Sequence, residues 1–257
     1  DHNTLNAKNL LDFYILTGGV AKYTETFSLY GVFDRESMIG EMTKENSLFL
    51  DEGKNRLIEE FGKEYLVYFS ILSLIASSKT SKAEIEGVLQ KSISGYLYKL
   101  EYDYNIIQSI KPINAKVGSK VQKYEIVDNF LSFWFRFFYK YRSLVEAENF
   151  ERLREIILRD FDLFGGKFLE RLFKEILKEE KCWSALGSYW ERGNKNEIDI
   201  VAIDDMRKRV LLCEVKLQKR KLNKEALVNK SQKLLQEYSG YEAEYRLLSL
   251  DDIDIML

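Results

Sequence analysis

Asn196-Glu-Ile-Asp-Ile-Val-Ala-Ile203 and Arg209-Val-Leu-Leu-Cys-Glu-Val-Lys216 are two apolar, β-branched segments separated by a short polar turn, a pattern that predicts a β-hairpin. Three charged residues, Asp199, Glu214 and Lys216, interrupt the apolar runs. Glu214 and Lys216 stand two apart, so both side chains point to one face of their strand. Because unpaired buried charge is costly, these residues need partners, and a metal ion beside a phosphodiester would supply one.

The segments around this hairpin predict an α/β domain over residues 164–257. A helix with an apolar stripe is expected to begin after Gly165-Gly166, and Glu170 lies at the border of the stripe. The element order is α-β-β-β-α-β. Besides the hairpin, the predicted elements are a first strand at 184–189, a basic helix at 223–238 and a last strand at 243–248.

Composition limits the possible chemistry. The chain has 257 residues, and its 39 Lys and Arg nearly balance its 41 Asp and Glu, so any basic surface for nucleic acid must be local. The single histidine, His2, excludes serine–histidine catalysis and histidine-rich metal sites. Cys182 and Cys213 show no metal-binding spacing, so we expect both to be reduced and structural. Without a signal peptide or a bilayer-length apolar run, we expect a cytoplasmic protein.

The first half of the chain predicts helices followed by a winged helix. Residues 1–62 are expected to be helical, with a first helix from an N-cap at Thr4 to a stop at Gly18-Gly19. This segment is either part of a nucleotide-binding module or a helical subdomain without a site. Residues 63–127 predict three helices and a hairpin, which is the order of a winged helix, with a capping box at Ser81 and Glu84.

The predicted winged helix has two interpretations. Its wing carries lysines that would contact phosphates, whereas its third helix lacks arginine for reading bases, so a protein-interaction module is slightly favoured over a DNA-binding one. Residues 128–163 predict an aromatic helix and a helical connector. The aromatic helix is interpreted as an interdomain core in preference to a platform on which bases stack. The wing lysines are Lys111, Lys116, Lys120 and Lys123.

A helix glutamate, an aspartate in the second strand and Glu-x-Lys in the third resemble the PD-(D/E)xK nuclease superfamily. The chain as a whole resembles the C-terminal part of archaeal-type AAA+ ATPases, in which a helical lid and a winged helix precede a nuclease-like domain. Two departures are Ala21, where the family has proline, and the absence of Gly-x-x-x-x-Gly-Lys-Ser/Thr, so this region is not expected to bind ATP. The matching motifs are Gly18-Gly-Val-Ala-Lys-Tyr23, Tyr124-Glu-Ile-Val-Asp-Asn-Phe-Leu-Ser-Phe-Trp-Phe-Arg-Phe137, Gly166-Lys-Phe-Leu-Glu170, Glu197-Ile-Asp-Ile-Val201 and Glu214-Val-Lys216.

The resemblance implies a role for each matching residue. Asp199 and Glu214 would hold Mg²⁺ or Mn²⁺, with the carbonyl of Val215 as a third ligand, Glu170 would bind a second metal or steer the first, and Lys216 would orient or help deprotonate the attacking water. Glu197 would lie just outside the ligands of the metal, and Gln232 is a weaker candidate for a polar contact near the site. The residues expected to follow the nucleic-acid backbone are Lys219, Arg220, Lys221, Lys224, Lys230 and Lys233.

The resemblance therefore predicts a multidomain α and α/β chain: a lid-like segment (1–62), a winged helix (63–127), an aromatic helix with connector (128–163) and a PD-(D/E)xK domain (164–257). The expected function is Mg²⁺-dependent hydrolysis of DNA, with RNA as an open alternative, next to the ATPase module of a longer protein. The rival is a non-catalytic DNA- or protein-binding module that docks or regulates the ATPase. The surplus of aromatic residues would permit an oligomer.

Overall fold

The computed structural model describes residues 6–253, with the side chain of Arg56 left out. The chain is a mixed α/β structure with a small antiparallel sheet and a four-stranded mixed sheet. It divides into two compact units. The first holds the described residues up to Ile110 together with Lys123–Phe161, and the second holds Lys111–Gln122 and the described residues from Asp162 onward.

The first unit begins with helices whose ends follow local capping rules. The side chain of Asn6 accepts a hydrogen bond from the backbone N–H of Asn9, and Gly18, at φ 61°, ends the first helix as predicted. The predicted cap, Thr4, lies outside the described residues. The helices are α1 (Ala7–Thr17), α2 (Ala21–Tyr30), α3 (Arg35–Met42), α4 (Leu48–Phe61), α5 (Tyr65–Ala76), α6 (Lys82–Leu89), α7 (Ser94–Tyr98), α8 (Asn129–Phe133) and α9 (Arg142–Glu146), with π-helical turns at Lys99–Asp103 and Trp134–Tyr139.

The predicted order of three helices and a hairpin occurs in α5, α6, α7 and the antiparallel strands β1 (Ile107–Ile110) and β2 (Lys123–Ile126). The capping box at the start of α6 is confirmed, because Ser81 and Glu84 each bond the other's backbone N–H. Each strand has four residues. The residues between them, including Lys111, Lys116 and Lys120, belong to the second unit.

Aromatic side chains fill the core of the first unit. Trp134 is buried and its indole Nε1 donates to the carbonyl of Leu50 at 2.8 Å. The buried rings cannot stack on bases, so the structure contradicts the stacking platform, and the predicted interdomain core is observed as part of the core of the first unit. The buried aromatic residues of this stretch are Phe130, Phe133, Trp134, Phe135, Phe137 and Phe138.

The second unit is built on one four-stranded sheet of order β3-β4-β5-β6. The first three strands are antiparallel, and β6 runs parallel to β5. Together with α10, the observed order is the predicted α-β-β-β-α-β, and the hairpin strands match their predicted bounds within one residue. The elements are α10 (Phe150–Glu179), β3 (Ala185–Glu191), β4 (Lys195–Asp204), β5 (Arg209–Lys216), α11 (Lys224–Glu237) and β6 (Glu242–Ser249).

The predicted helix start at Gly165-Gly166 is wrong. Helix α10 runs without a break from Phe150 to Glu179, so the connector and the predicted helix are one element. Apolar residues on both sides of the glycines are buried, among them Phe161, Phe164 and Phe168. Two helical glycines cost roughly 1 kcal/mol each relative to alanine, and burial of such phenylalanines, at about 1.5–3 kcal/mol each, outweighs that cost.

Gly166→Ala is expected to stabilise the protein by about 0.5–1 kcal/mol. A Cβ at Gly166 meets no heavy atom within 4 Å, so the gain in helix propensity is not offset by a clash. Denaturant unfolding monitored by circular dichroism measures the change. A loss of stability would contradict the continuous helix. Gly118→Ala is the control expected to destabilise, because Gly118 has a φ of 81°.

Both cysteines are free. Cys213 is buried in β5, where desolvation raises the pKa of its thiol to about 12, so it remains protonated and packs as a small apolar residue. Cys182 is half-buried.

Candidate active site

The hairpin brings Asp199 of β4 and both Glu214 and Lys216 of β5 together. The Nζ atom of Lys216 lies 3.0 Å from Asp199 Oδ2 and 3.8 Å from Glu214 Oε1. The two carboxyl side chains are largely buried, at 12% and 8% exposure, whereas that of Lys216 is 34% exposed. Two carboxylates and an ammonium therefore meet at a point that solvent reaches along the lysine.

Backbone groups hold both carboxylates in place. The N–H of Val215 donates to Asp199 Oδ2 at 2.8 Å, and the N–H of Asn223 donates to Glu214 Oε2 at 3.2 Å. Asn223 also caps α11, since its side chain accepts from the backbone of Ala226. The position of Glu214 thus depends on the start of α11, which the sequence pattern of the hairpin does not reveal.

The ammonium of Lys216 is held in its charged form. Burial lowers the pKa of Lys216, but the negative charge of Asp199, its hydrogen bond to Lys216 and the charges of Glu214 and Glu170 outweigh burial and raise it. The two roles of Lys216, orienting the attacking water and helping to deprotonate it, remain predictions.

Glu170 of α10 belongs to the same electrostatic environment. Its pKa is raised to about 8, first by desolvation and then by the negative charge of Asp199, while Lys174 and Lys216 oppose the rise. Glu170 is still partly exposed to solvent. Strongly shifted pKa values of this kind cluster at functional sites.

Glu170→Gln is expected to stabilise the metal-free protein at alkaline pH. The folded-state pKa, about 8, lies above the ordinary value of 4.5, so ionised Glu170 destabilises the fold and stability is lost as pH rises from 4.5 through 8. The variant removes this loss, a gain of roughly 2 kcal/mol at pH 9 after allowance for partial exposure.

Thermal unfolding in EDTA at pH 5 and pH 9 measures this effect, and the gain should appear only at the higher pH. Glu175→Gln provides a matched control on the same helix, because the side chain of Glu175 is 62% exposed. Equal melting temperatures for Glu170→Gln and wild type at pH 9 would contradict the raised pKa.

Two residues of this region, Lys174 and Ser188, were not predicted from the sequence. The Nζ atom of Lys174 donates to the hydroxyl of Ser188 at 2.6 Å, and that hydroxyl donates to the backbone carbonyl of Asp199 at 2.9 Å. The only sequence signal is that Lys174 follows Glu170 by four residues and so shares its helix face. Ser188 on β3 carries no signal of its own.

The remaining candidates differ in their surroundings. Glu197 is exposed, and its charge contributes to the raised pKa of Glu170. Gln232 is exposed and donates to the carbonyl of Val228 within its own helix. For the Val215 carbonyl, metal ligation remains a prediction.

The predicted nucleic-acid residues fall into two groups. Lys219, Arg220, Lys221 and Lys224 are exposed just after β5, within a few residues of Lys216. Lys230 and Lys233 are engaged inside the unit: Lys230 Nζ lies 3.5 Å from Glu214 Oε1, and Lys233 Nζ lies 3.0 Å from Glu191 Oε2. The first group therefore has the more accessible positive charge.

The donor set suits a hard divalent cation. Oxygens of Asp199 and Glu214 converge on one Lys216 Nζ, and carboxylate oxygens are the ligands that Mg²⁺ prefers. Within residues 6–253, no three acidic, histidine or cysteine side chains are already arranged around a common metal position. Glu170 is thus near enough to be affected by Asp199 without forming a ready three-ligand cluster.

The residues of the candidate site lie in a part of the chain that matches a known protein family. Residues 134–241 match the DUF234 family, described as archaeal and bacterial proteins of unknown function. The matched range contains Glu170, Asp199, Glu214 and Lys216.

A curated relative extends the similarity to most of the chain. The chain is 30% identical over 221 residues to an uncharacterized protein of Methanocaldococcus jannaschii. The alignment covers 81% of this chain but 48% of the relative, so the chain spans about half the length of that protein. Neither description names a nuclease or an ATPase. No solved structure matches the chain, and among the described helices none is long and apolar enough to cross a membrane.

Proposed function

We propose that the second unit is a metal-dependent nuclease domain of the PD-(D/E)xK type that hydrolyses phosphodiester bonds in DNA. The observation that carries the proposal is the convergence of Asp199, Glu214 and Lys216, with the lysine ammonium 3.0 and 3.8 Å from the two carboxylates. Glu-x-Lys is common in strands, so the proposal depends on the aspartate that the neighbouring strand adds to it. The α-β-β-β-α-β order supports the same class.

In this proposal, Asp199 and Glu214 hold Mg²⁺ or Mn²⁺, and Glu170 assists from α10. When bound, the metal supplies a Lewis acid that lowers the pKa of water and polarises the phosphate. The charged Lys216 donates hydrogen bonds to a phosphate oxygen and stabilises the negative charge that develops there. The water oxygen forms a bond to phosphorus as the phosphorus–oxygen bond of the leaving nucleotide breaks, and the leaving oxygen takes up a proton.

The nucleic acid would approach along the exposed basic residues that follow β5. Lys219, Arg220 and Lys221 form a short 3₁₀ turn, and Lys224 opens α11. Flexible lysines and arginines of this kind make phosphate contacts that carry no sequence information. The proposed substrate is therefore DNA without strong sequence preference, and RNA is tested in parallel.

We further propose that this region works with an ATPase module, as the resemblance to archaeal-type AAA+ ATPases implies. The relative's greater length leaves room for such a module in that protein. In this chain, the absence of Gly-x-x-x-x-Gly-Lys-Ser/Thr means that no phosphate-binding loop of that type is present. ATP would bind to the ATPase module and not to this chain.

One observation favours a second candidate, a non-catalytic DNA- or protein-binding module. The site charges are already compensated by protein groups: Lys216 pairs with Asp199, and Lys230 and the N–H of Asn223 bond Glu214. A network satisfied in this way can serve purely to position β4, β5 and α11. This candidate predicts DNA or protein binding without any requirement for a divalent cation.

Incubation of the protein with plasmid and linear DNA separates the two candidates. Cleavage in Mg²⁺ or Mn²⁺ that stops in EDTA supports the nuclease, and the same assay with RNA defines the substrate. Calorimetric titration with MgCl₂ measures metal binding directly. If neither cleavage nor metal binding occurs, the nuclease proposal fails and the binding module is preferred.

A further inference from the structure

A shallow cleft of about 480 Å³ lies within the second unit, between the segment Lys111–Gln122 and the end of β3. Its lining includes three basic residues, a tryptophan and two small polar side chains. These are Lys116, Arg192, Lys233, Trp190, Asn114 and Ser119.

The segment is fixed to the sheet at its first residues. The backbone N–H of Ile113 donates to the carbonyl of Ser188 at 2.8 Å. The side chain of Ile113 lies against Gly187, and its Cβ is 3.5 Å from the position that a Cβ at Gly187 would take. Asn114 Nδ2 donates to Glu237 Oε1 of α11 at 2.8 Å. Residues 113 and 114 therefore hold the segment against β3 and α11, and the wall of the cleft is part of the fold.

Lys116 begins the turn at the tip of this segment. The N–H of Ser119 donates to the carbonyl of Lys116 at 2.9 Å, and Gly118 has the φ of 81° that the third position of a type II turn requires. Val117, at the apex, is fully exposed. The turn presents Lys116 beside the cleft.

The cleft has uncompensated positive charge. Lys233 is neutralised by Glu191, which also accepts from Asn196 and Tyr189. Lys116 and Arg192 are exposed, and among the described residues neither makes an ion pair. Two cations without partners on facing walls of a cleft attract a polyanion.

Ser188, next to the β3 residues that line the cleft, links the 111–122 segment to the candidate active site. The carbonyl of Ser188 receives the N–H of Ile113 from the cleft segment. Its hydroxyl joins Lys174 to the backbone of Asp199. The strand that lines the cleft, β3, is paired with β4, the strand that carries Asp199.

We propose that this cleft binds the phosphate backbone of duplex DNA next to the cutting site, with Lys116 and Arg192 each contacting one phosphate. The substrate class rests on the proposed nuclease function. The segment 111–122, which carries most of the predicted wing lysines, would act as an arm of the second unit and not as the wing of a winged helix.

The test is binding of a short fluorescent DNA duplex to the full chain, measured by anisotropy in EDTA over a range of salt concentrations. The double variant Lys116→Gln/Arg192→Gln should weaken binding roughly tenfold or more, and the slope of log K against log salt should fall by about 0.9 per lost contact. A single-stranded probe, for which the loss per contact is about 0.7, is measured in parallel, and a double variant that weakens only single-strand binding would overturn the duplex proposal.

The matched control removes two charges elsewhere in the second unit. Arg207 lies in the β4–β5 turn and Lys178 near the end of α10, with side-chain exposures of 70% and 69%. Arg207→Gln/Lys178→Gln should bind nearly as wild type does, and thermal melting checks that both double variants fold. The single variant Lys116→Glu should bind less tightly than Lys116→Gln.

The inference is overturned if the cleft variant keeps the affinity and salt slope of the control, or if the wild type does not bind DNA. Binding in EDTA is independent of cleavage. If the wild type never cleaves DNA but binds it more tightly than the cleft variant does, only the nuclease proposal fails. If the wild type cleaves DNA and the cleft variant binds DNA as tightly as the wild type, only the cleft proposal fails.

Discussion

Replacing Asp199 with asparagine is expected to reduce DNA cleavage roughly 10³-fold, because this carboxylate is both a proposed metal ligand and the main partner of Lys216. The amide would keep the shape of the side chain but lose the charge that binds the cation and fixes the ammonium 3.0 Å away. Lys216→Ala should also reduce the rate strongly, because the site would lose its only cation within 4 Å of both carboxylates among the described residues. Rates are measured on supercoiled plasmid in Mg²⁺ and in Mn²⁺.

Asp205→Asn is the matched control for this experiment. Asp205 lies in the turn of the same hairpin, is exposed, and accepts a hydrogen bond from Tyr241 rather than from any site residue. Its cleavage rate should equal that of wild type. If Asp199→Asn cleaves as fast as this control while both proteins remain folded, hydrolysis arises elsewhere and the proposed site is wrong.

Gly53→Ala is expected to destabilise the first unit by about 3 kcal/mol, which corresponds to a fall in melting temperature of roughly 10 °C. A Cβ at this position would stand 2.7 Å from Cγ and Cε3 of Trp134 and closer still to Cδ2. The indole cannot move away easily, because its Nε1 bonds the carbonyl of Leu50 and its ring packs edge-on against Phe69 and Phe135.

Gly87→Ala serves as the control for this prediction. Gly87 also lies inside a helix, but a Cβ there meets no heavy atom within 4 Å, so this variant should be neutral or slightly stabilised. Both variants are compared by thermal and denaturant unfolding. Equal stability of the two would show that Trp134 repacks at little cost, and the aromatic core would then be looser than its contacts indicate.

The sequence predicts local features of this protein well because short-range patterns decide them. Continuous apolar runs between polar residues set the bounds of β4 and β5, and Glu-x-Lys spacing alone puts Glu214 and Lys216 on one face. The capping box of Ser81 and Glu84 depends on residues three apart. Pairing the two strands of one hairpin then brings Asp199 within reach of Lys216.

Sequence patterns are less informative where a local preference competes with distant packing. The Gly165-Gly166 pair favours a helix boundary, but burial of the phenylalanines on either side keeps α10 continuous. The sequence of the basic helix suggests that Lys230 and Lys233 contact nucleic acid. In the structure, Lys230 pairs with Glu214 and Lys233 pairs with Glu191, and both glutamates lie in other elements. No periodicity within a helix can reveal such partners.

The hairpin, the α-β-β-β-α-β order and the presence of the carboxylate and lysine residues can be read from the sequence alone, since they follow from apolar runs and helical periodicity within single elements. Three features depend on how the elements pack: residues 111–122 lie on β3, Lys174 and Ser188 support the backbone of Asp199, and the pKa of Glu170 is raised. The physical reason is that desolvation and charge–charge interactions depend on distances between residues far apart in the chain, which are set only when the elements pack.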